Sequence, residues 1–279
     1  MLIIYLSVFI LGTLIGSFLN VLSLRWGTNL SIVTKRSHCP QCKKTLTSSE
    51  LIPIFSFLWQ RGRCVSCRAR ISFQYPLIET LTGLVFLLIF NFQFSIFNEF
   101  SISLIFNLLY FWTIFSILIA IAIYDFHHKI IPDPWVFAFI GLSFLGIFIF
   151  HISSFMFYVV AGPIIALFFF LIWFLSKGRA MGFGDVKLAL GIGWFLGLIG
   201  GIYATLWAFW IGGTVAIFLL ILKNFLSTLP QKGALFLGLK GLTIKSEIPF
   251  GPFLVLGVAV AFFLEWDFIG LKLVFELIF

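Results

Sequence analysis

Long apolar runs separated by short polar stretches dominate this chain, and several exceed eighteen residues. None alternates with the two-residue period of a strand, so the pattern argues against a transmembrane barrel. It predicts an all-α, polytopic membrane protein. The expected spans are about Leu2–Leu24, Tyr75–Phe92, Ser101–Tyr124, Trp135–Phe150 and Phe155–Leu175. Leu188–Leu222 suits two short spans broken near Gly197–Gly201, and a last one opens at Pro249-Phe-Gly-Pro252 and reaches Glu265–Asp267. The expected total is about eight transmembrane helices, with a polar loop domain after the first.

Composition agrees. With 61% hydrophobic residues, 10% charged residues and a mean hydropathy of +1.15, the chain is outside the soluble globular class. Met1–Leu24 lacks a basic leading segment and a small-x-small cleavage site, and is read as a retained span. The net charge of +8 would suggest nucleic acid in a soluble protein; here the positive-inside rule accounts for it, and no nucleic-acid partner is expected. Residues 25–74 hold nine of the eighteen Lys and Arg residues and one acid, Glu50, which places this loop in the cytoplasm and Met1 outside. Three regions follow: a first helix at 1–24, a cytoplasmic loop at 25–74, and a membrane-embedded core at 75–279. On this topology seventeen of eighteen basic residues lie inside, Lys272 being the exception.

The loop holds all four cysteines, as Cys39-Pro-Gln-Cys42 and Cys64-Val-Ser-Cys67 with twenty-one residues between the pairs. Two such pairs suit a tetrahedral site with four thiolate ligands, and neighbouring Lys43, Lys44, Arg68 and Arg70 favour thiolate formation. A reducing cytoplasm disfavours structural disulfides, and so small a lobe needs a staple. A dithiol redox pair is the competing reading, and His38 is expected to face solvent.

Polar residues inside apolar runs are the other candidates, because an acid at the bilayer centre costs about 2.5–3.5 kcal/mol. Met181-Gly-Phe-Gly-Asp-Val-Lys187 is a glycine-rich island in which Gly182 and Gly184 let another helix or an extended peptide approach the backbone beside Asp185. Its expected partner is Asp125, at the end of a span where the helix dipole disfavours an anion. Both aspartates fall at the cytoplasmic face on the predicted topology, and as a pair they could share a proton and activate water. Asp133 follows Pro132 and is expected to cap the next span. Lys187 either stabilises a carboxylate or anchors at the interface. Glu79, one turn inside its span, either snorkels to the interface or lines a polar site. Asn20 is either interhelical glue or functional. His127 and His128 are read as interfacial.

Several segments together resemble the bacterial prepilin peptidases, the type IV leader peptidases of pilin export and competence systems. They are Gly16-Ser-Phe-Leu-Asn-Val21 with Arg25; the loop with its four cysteines, Leu51-Ile-Pro53, Tyr75-Pro76 and Glu79; Asp125 with Ile131-Pro-Asp133; Gly182-Phe-Gly-Asp185 with Lys187; and Pro249-Phe-Gly-Pro-Phe253. They cover nearly the whole chain in the family's order. Gly-x-Gly-Asp alone is weak, since presenilin-like proteases share it. The resemblance implies an aspartyl protease with Asp125 and Asp185 as catalytic pair. Such enzymes cut a short basic leader from prepilin-like precursors, in a multi-pass protein of the bacterial cytoplasmic (inner) membrane whose active site faces the cytoplasm. Family members with the cysteine loop also methylate the new amino terminus with S-adenosylmethionine, whereas archaeal preflagellin peptidases lack that loop.

The four cysteines are therefore expected to hold a structural zinc ion, and membrane lipid is expected against the basic loops. The binding residues for S-adenosylmethionine and the oligomeric state are not indicated by the sequence. Rival readings are a proton-coupled transporter relaying through the same aspartates, a zinc-bearing membrane scaffold, and a peptidase without methyltransferase activity. A transporter relay would want its carboxylates near mid-membrane.

Overall fold

The computed structural model describes residues 1–28, 31, 36–97, 101–227 and 249–264, without the side chains of 223–227. Most of the expected basic loop Lys223–Ile248, the expected end of the last span at Glu265–Asp267, and Lys272 lie outside the described residues. Regular structure among those described is helical: α1 (Leu2–Arg25), α2 (Phe55–Trp59), α3 (Gln74–Phe97), α4 (Ile102–His128), α5 (Asp133–Phe150), α6 (Phe155–Leu175), α7 (Phe183–Ser227) and α8 (Gly251–Leu264). Two isolated antiparallel bridges, His38–Thr45 and Arg63–Arg70, lie in the loop after α1.

Among the described residues six helical stretches, formed by α1, α3, α4, α5, α6 and α7, are long and apolar enough to cross a membrane, against about eight expected for the whole chain. The stretch expected to form two spans, Phe183–Ser227, is helical on both sides of Gly197, whose φ of 73° and ψ of −176° are not helical and interrupt it where the break was expected. Only 14 residues of α8 are described, fewer than the ~20 that cross a bilayer.

The chain divides into two compact units, Met1–Ile123 and Tyr124–Phe279. In the first, α1 packs on α3 because small residues let the backbones meet. A Cβ at Gly12 would lie 2.8 Å from the Cα of Gly83, and one at Gly16 would lie 2.9 Å from the Cα of Glu79. Trp112 of α4 stacks on Phe86 of α3 with centroids 5.0 Å apart and donates its indole N–H to the Phe86 carbonyl at 3.2 Å. Asn20 is fully buried, but its amide bonds the Gly16 carbonyl of its own helix at 3.3 Å rather than a neighbouring helix.

In the second unit, α7 is the axis against which α5, α6 and α8 pack, again through glycines. Gly193 lies against the backbone of Ala161 and Gly162, Gly191 against the Phe139 ring, and Gly257 against the Ala204 carbonyl. Gly197 needs its glycine twice: the backbone is in the positive-φ region, and a Cβ would lie 3.0 Å from the Tyr158 ring.

Gly12→Val should therefore destabilise the first unit by about 1–3 kcal/mol, because the nearest opposing atom, the Cα of Gly83, is backbone and cannot yield, and the Phe86 side chain is pressed as well. Gly141→Ala meets nothing within 4 Å and should be neutral. Thermal unfolding of the detergent-solubilised variants distinguishes them; equal midpoints would refute the close-packing account.

Candidate functional site

Asp125 and Asp185 both lie in the second unit, both at helix ends and both buried, 4% and 6% exposed. Asp125 sits in the last turn of α4, which closes when the Lys129 N–H bonds the Asp125 carbonyl at 2.7 Å with Lys129 at a φ of 55°. Asp185 is the third residue of α7, and its N–H bonds the Gly182 carbonyl at 3.2 Å.

Each carboxylate is served by a helix N-terminus, whose free N–H groups and dipole favour negative charge. Asp185 occupies the first turn of its own helix. Asp125, at the wrong end of α4 for an anion, is reached by α8: the Gly251 N–H donates to Asp125 Oδ2 at 3.0 Å. A Cβ at Gly251 would lie 2.6 Å from that oxygen, so glycine is what lets the amide approach. Gly251 is the site residue that sequence reasoning left without a role. Its available signal was a glycine between prolines at the start of a span. Asp185 Oδ1 is buried and has no hydrogen-bond partner among the described residues.

The two glycines of the island have different surroundings. Gly184 packs under Ile131, whose Cβ would lie 2.9 Å from an added Cβ, so this close approach is made by the chain itself. Beside Gly182 an added Cβ would meet only Asp185 Oδ2 at 3.8 Å and the Gly184 nitrogen at 3.9 Å. That edge is open.

Asp133 does not have the expected capping role. The N-cap position falls on Pro132, Asp133 is the first residue of α5, and its Oδ1 accepts from Lys187 Nζ at 2.6 Å. Lys187 therefore joins α7 to the start of α5, and its ammonium lies 5.5 Å from the ring centroids of both Phe137 and Phe183. Glu79 belongs to the first unit. It is 6% exposed and accepts from the Ile54 N–H at 2.7 Å, so it is an engaged acceptor rather than a snorkelling acid.

The cysteines form a second constellation, in the first unit. Their four Sγ atoms lie within 4.8 Å of one another and are positioned to bind a metal ion. The local backbone is used twice. The Lys43 N–H bonds the Cys39 carbonyl and the Arg68 N–H bonds the Cys64 carbonyl, each at 2.9 Å, with Lys43 and Arg68 both at positive φ. The N–H groups of Cys42 and Gln41 hold the Cys39 thiol down to about 6, and those of Cys67 and Ser66 lower that of Cys64. Such donors stabilise the thiolates a metal requires. His38 is half-buried and outside this cluster.

Residues 112–217 match the model of the type IV leader peptidase family, and residues 10–92 match that of the bacterial peptidase A24 N-terminal domain. The prepilin leader peptidase/N-methyltransferase of Bacillus subtilis is 36% identical over 190 residues, covering 68% of this chain and 73% of that protein. The protein of the same name in Legionella pneumophila is 30% identical over 241 residues, 84% and 74% of the two chains. That of Aeromonas hydrophila is 27% identical over 289 residues, 91% and 88%. No solved structure matches the chain at the same stringency.

The contrast between the glycines is testable. Gly184→Ala must displace Ile131 and should lower the thermal midpoint, whereas Gly182→Ala should leave it unchanged. A midpoint lowered equally by both would show that the edge at Gly182 is not open.

Proposed function

The chain belongs to the type IV leader peptidase family, and on that footing we propose that it cleaves the basic leader from prepilin-like precursors and N-methylates the new amino terminus. Asp125 and Asp185 are the catalytic pair in this reading. The observation that carries it is their placement in one unit, each at a helix end and each buried. One carboxylate takes a proton from water as that water attacks the scissile carbonyl. The protonated partner gives its proton to the carbonyl oxygen, so that a tetrahedral diol forms. The carboxyl that took the water proton then delivers it to the leaving amine, while the partner recovers a proton from a diol hydroxyl as the C–N bond breaks. The proton belongs to the pair rather than to either member.

The open edge at Gly182 admits the extended substrate backbone beside Asp185. Gly251 holds Asp125 in place, and the Lys187–Asp133 pair braces the two segments around the site. Carboxylates at helix ends suit cleavage near a membrane face and weigh against a mid-membrane proton relay. Counting α7 as two spans about Gly197 and α8 as one gives eight crossings, and the positive-inside rule then puts both aspartates and the cysteine loop in the cytoplasm. Pilin, pseudopilin and competence precursors are the candidate substrates, and anionic lipid faces the basic loops.

The metal in this reading is zinc, held by Cys39, Cys42, Cys64 and Cys67 in a structural role. Four thiolates about 2.3 Å from zinc stand about 3.8 Å apart at tetrahedral geometry. The Cys39–Cys67 separation of 3.8 Å and the Cys42–Cys64 separation of 4.0 Å support that fit. S-adenosylmethionine is the methyl donor. Among the described residues no glycine-rich turn of the dinucleotide-binding type offers it a cradle, and the transfer step is assigned to no residue.

Asp125→Asn and Asp185→Asn, assayed separately on a pilin-like precursor in liposomes, should each remove at least about 10²–10⁴-fold of the cleavage rate while the protein stays folded. Retained cleavage in either would break the pair assignment. Gly251→Ala should lower cleavage by pushing on Asp125, without the loss of metal expected of Cys39→Ser with Cys64→Ser. Undiminished zinc in that double variant, by elemental analysis, would refute the metal reading. Cleavage should survive the cysteine change better than methylation; equal loss would mean that the lobe braces the protease core.

A further inference from the structure

The cysteine lobe has an apolar face that its own fold does not cover. Around α2, Ile52, Phe55, Leu58 and Trp59 are 47%, 57%, 66% and 80% exposed. Phe55 and Trp59, one turn apart, stack with centroids 5.9 Å apart, so the face is continuous. A contiguous patch of this kind on a small lobe marks an interaction surface.

A hydrogen bond ties it to α3. The Ile54 N–H, immediately before α2, donates to Glu79 Oε2 at 2.7 Å. Glu79 is five residues beyond the start of α3 at Gln74, or about 7.5 Å along the helix axis. α2 is thereby pinned beside the opening turns of a membrane-spanning helix rather than above them. On the same turns of α3, Leu77 and Leu81 are 45% and 49% exposed, which marks that level as apolar surroundings. The attachment is also imposed on the backbone: Ile54 has a φ of 60°, which a β-branched residue adopts only where its surroundings dictate it.

Charge follows the same plan. Arg61 and Arg63 directly follow α2, and with Arg68 and Arg70 they are exposed. The lobe's one acid, Glu50, is engaged by Lys44 at 2.9 Å and by Thr47. A short apolar helix carrying an exposed Trp, at the level of a span's first turns and bordered by arginines, has the chemistry of the bilayer boundary.

We propose that α2 is an interfacial helix. Ile52, Phe55, Leu58 and Trp59 enter the headgroup–acyl boundary, the following arginines engage the phosphates of anionic lipid, and the Glu79–Ile54 bond sets the depth. The inference rests on the membrane-spanning reading of α1 and α3, and not on the peptidase assignment.

The test uses full-length protein carrying fluorotryptophan in phosphatidylglycerol-containing bilayers, read by fluorine NMR. Trp59→Phe identifies the Trp59 signal among nine tryptophans, and the other signals report the fold. A lipid spin-labelled near its headgroup end should abolish the Trp59 signal, while a water-soluble gadolinium chelate should leave it. Glu79→Leu, which removes the acceptor, should restore the signal in spin-labelled lipid. Loss of the signal to gadolinium instead of to lipid would overturn the proposal. So would gadolinium sensitivity that disappears only when a pilin-like precursor is added, which would make the face a peptide-docking surface. An unchanged response in Glu79→Leu, with the other signals intact, would overturn the depth-setting role. These outcomes are read without any cleavage assay and so are separable from failure of the catalytic reading.

Discussion

A carboxylate withdrawn from water needs donors, and Asp125 and Asp185 are buried at helix ends with few of them. Asp125 has one backbone N–H, from Gly251, and Asp185 Oδ1 has no partner among the described residues. An isolated buried charge is among the most unfavourable features a fold can carry, so the surroundings must supply field where they do not supply bonds. Two helix N-termini do so: α7 under Asp185 and α8 opposite Asp125. The arrangement requires the end of α4 and the starts of α7 and α8 to converge on one point.

That convergence depends on the absence of side chains. Gly184 lets Ile131 in, Gly251 lets an amide reach a carboxylate, and Gly257 and Gly193 bring α8 and α6 onto α7. In lipid, apolar side chains gain little by leaving one hydrocarbon environment for another, so close van der Waals packing carries the association. The glycines that build the site and those that build the bundle therefore obey the same rule. The exception is Gly182, whose edge is open among the described residues.

The first unit solves a different problem. Its lobe has few buried residues of its own, with Cys39 and Cys64 among them, so four convergent sulfurs and two near-identical turns take the place of a core. The Glu79–Ile54 bond then ties that lobe to a membrane helix. A buried acid on an apolar helix is thus engaged by a backbone donor from the lobe.

The chain alone determined the helices, their apolar character, the bend at Gly197, the two cysteine pairs and the two aspartates that stand out from their runs. These are signals of hydropathy, spacing and local backbone chemistry, readable within a few turns of each residue. The family resemblance was legible for the same reason. Only the tertiary structure decided what those residues touch. Asp133 looked like a cap from its neighbours, yet it pairs with Lys187, 54 residues away; Gly251 meets Asp125 across 126 residues; Ile131 fills the space above Gly184. Glu79 had two local readings, and its partner proved to be the N–H of an isoleucine at positive φ, 25 residues away. Such contacts depend on where helix ends arrive after packing, and a linear pattern carries no record of the distance between two ends.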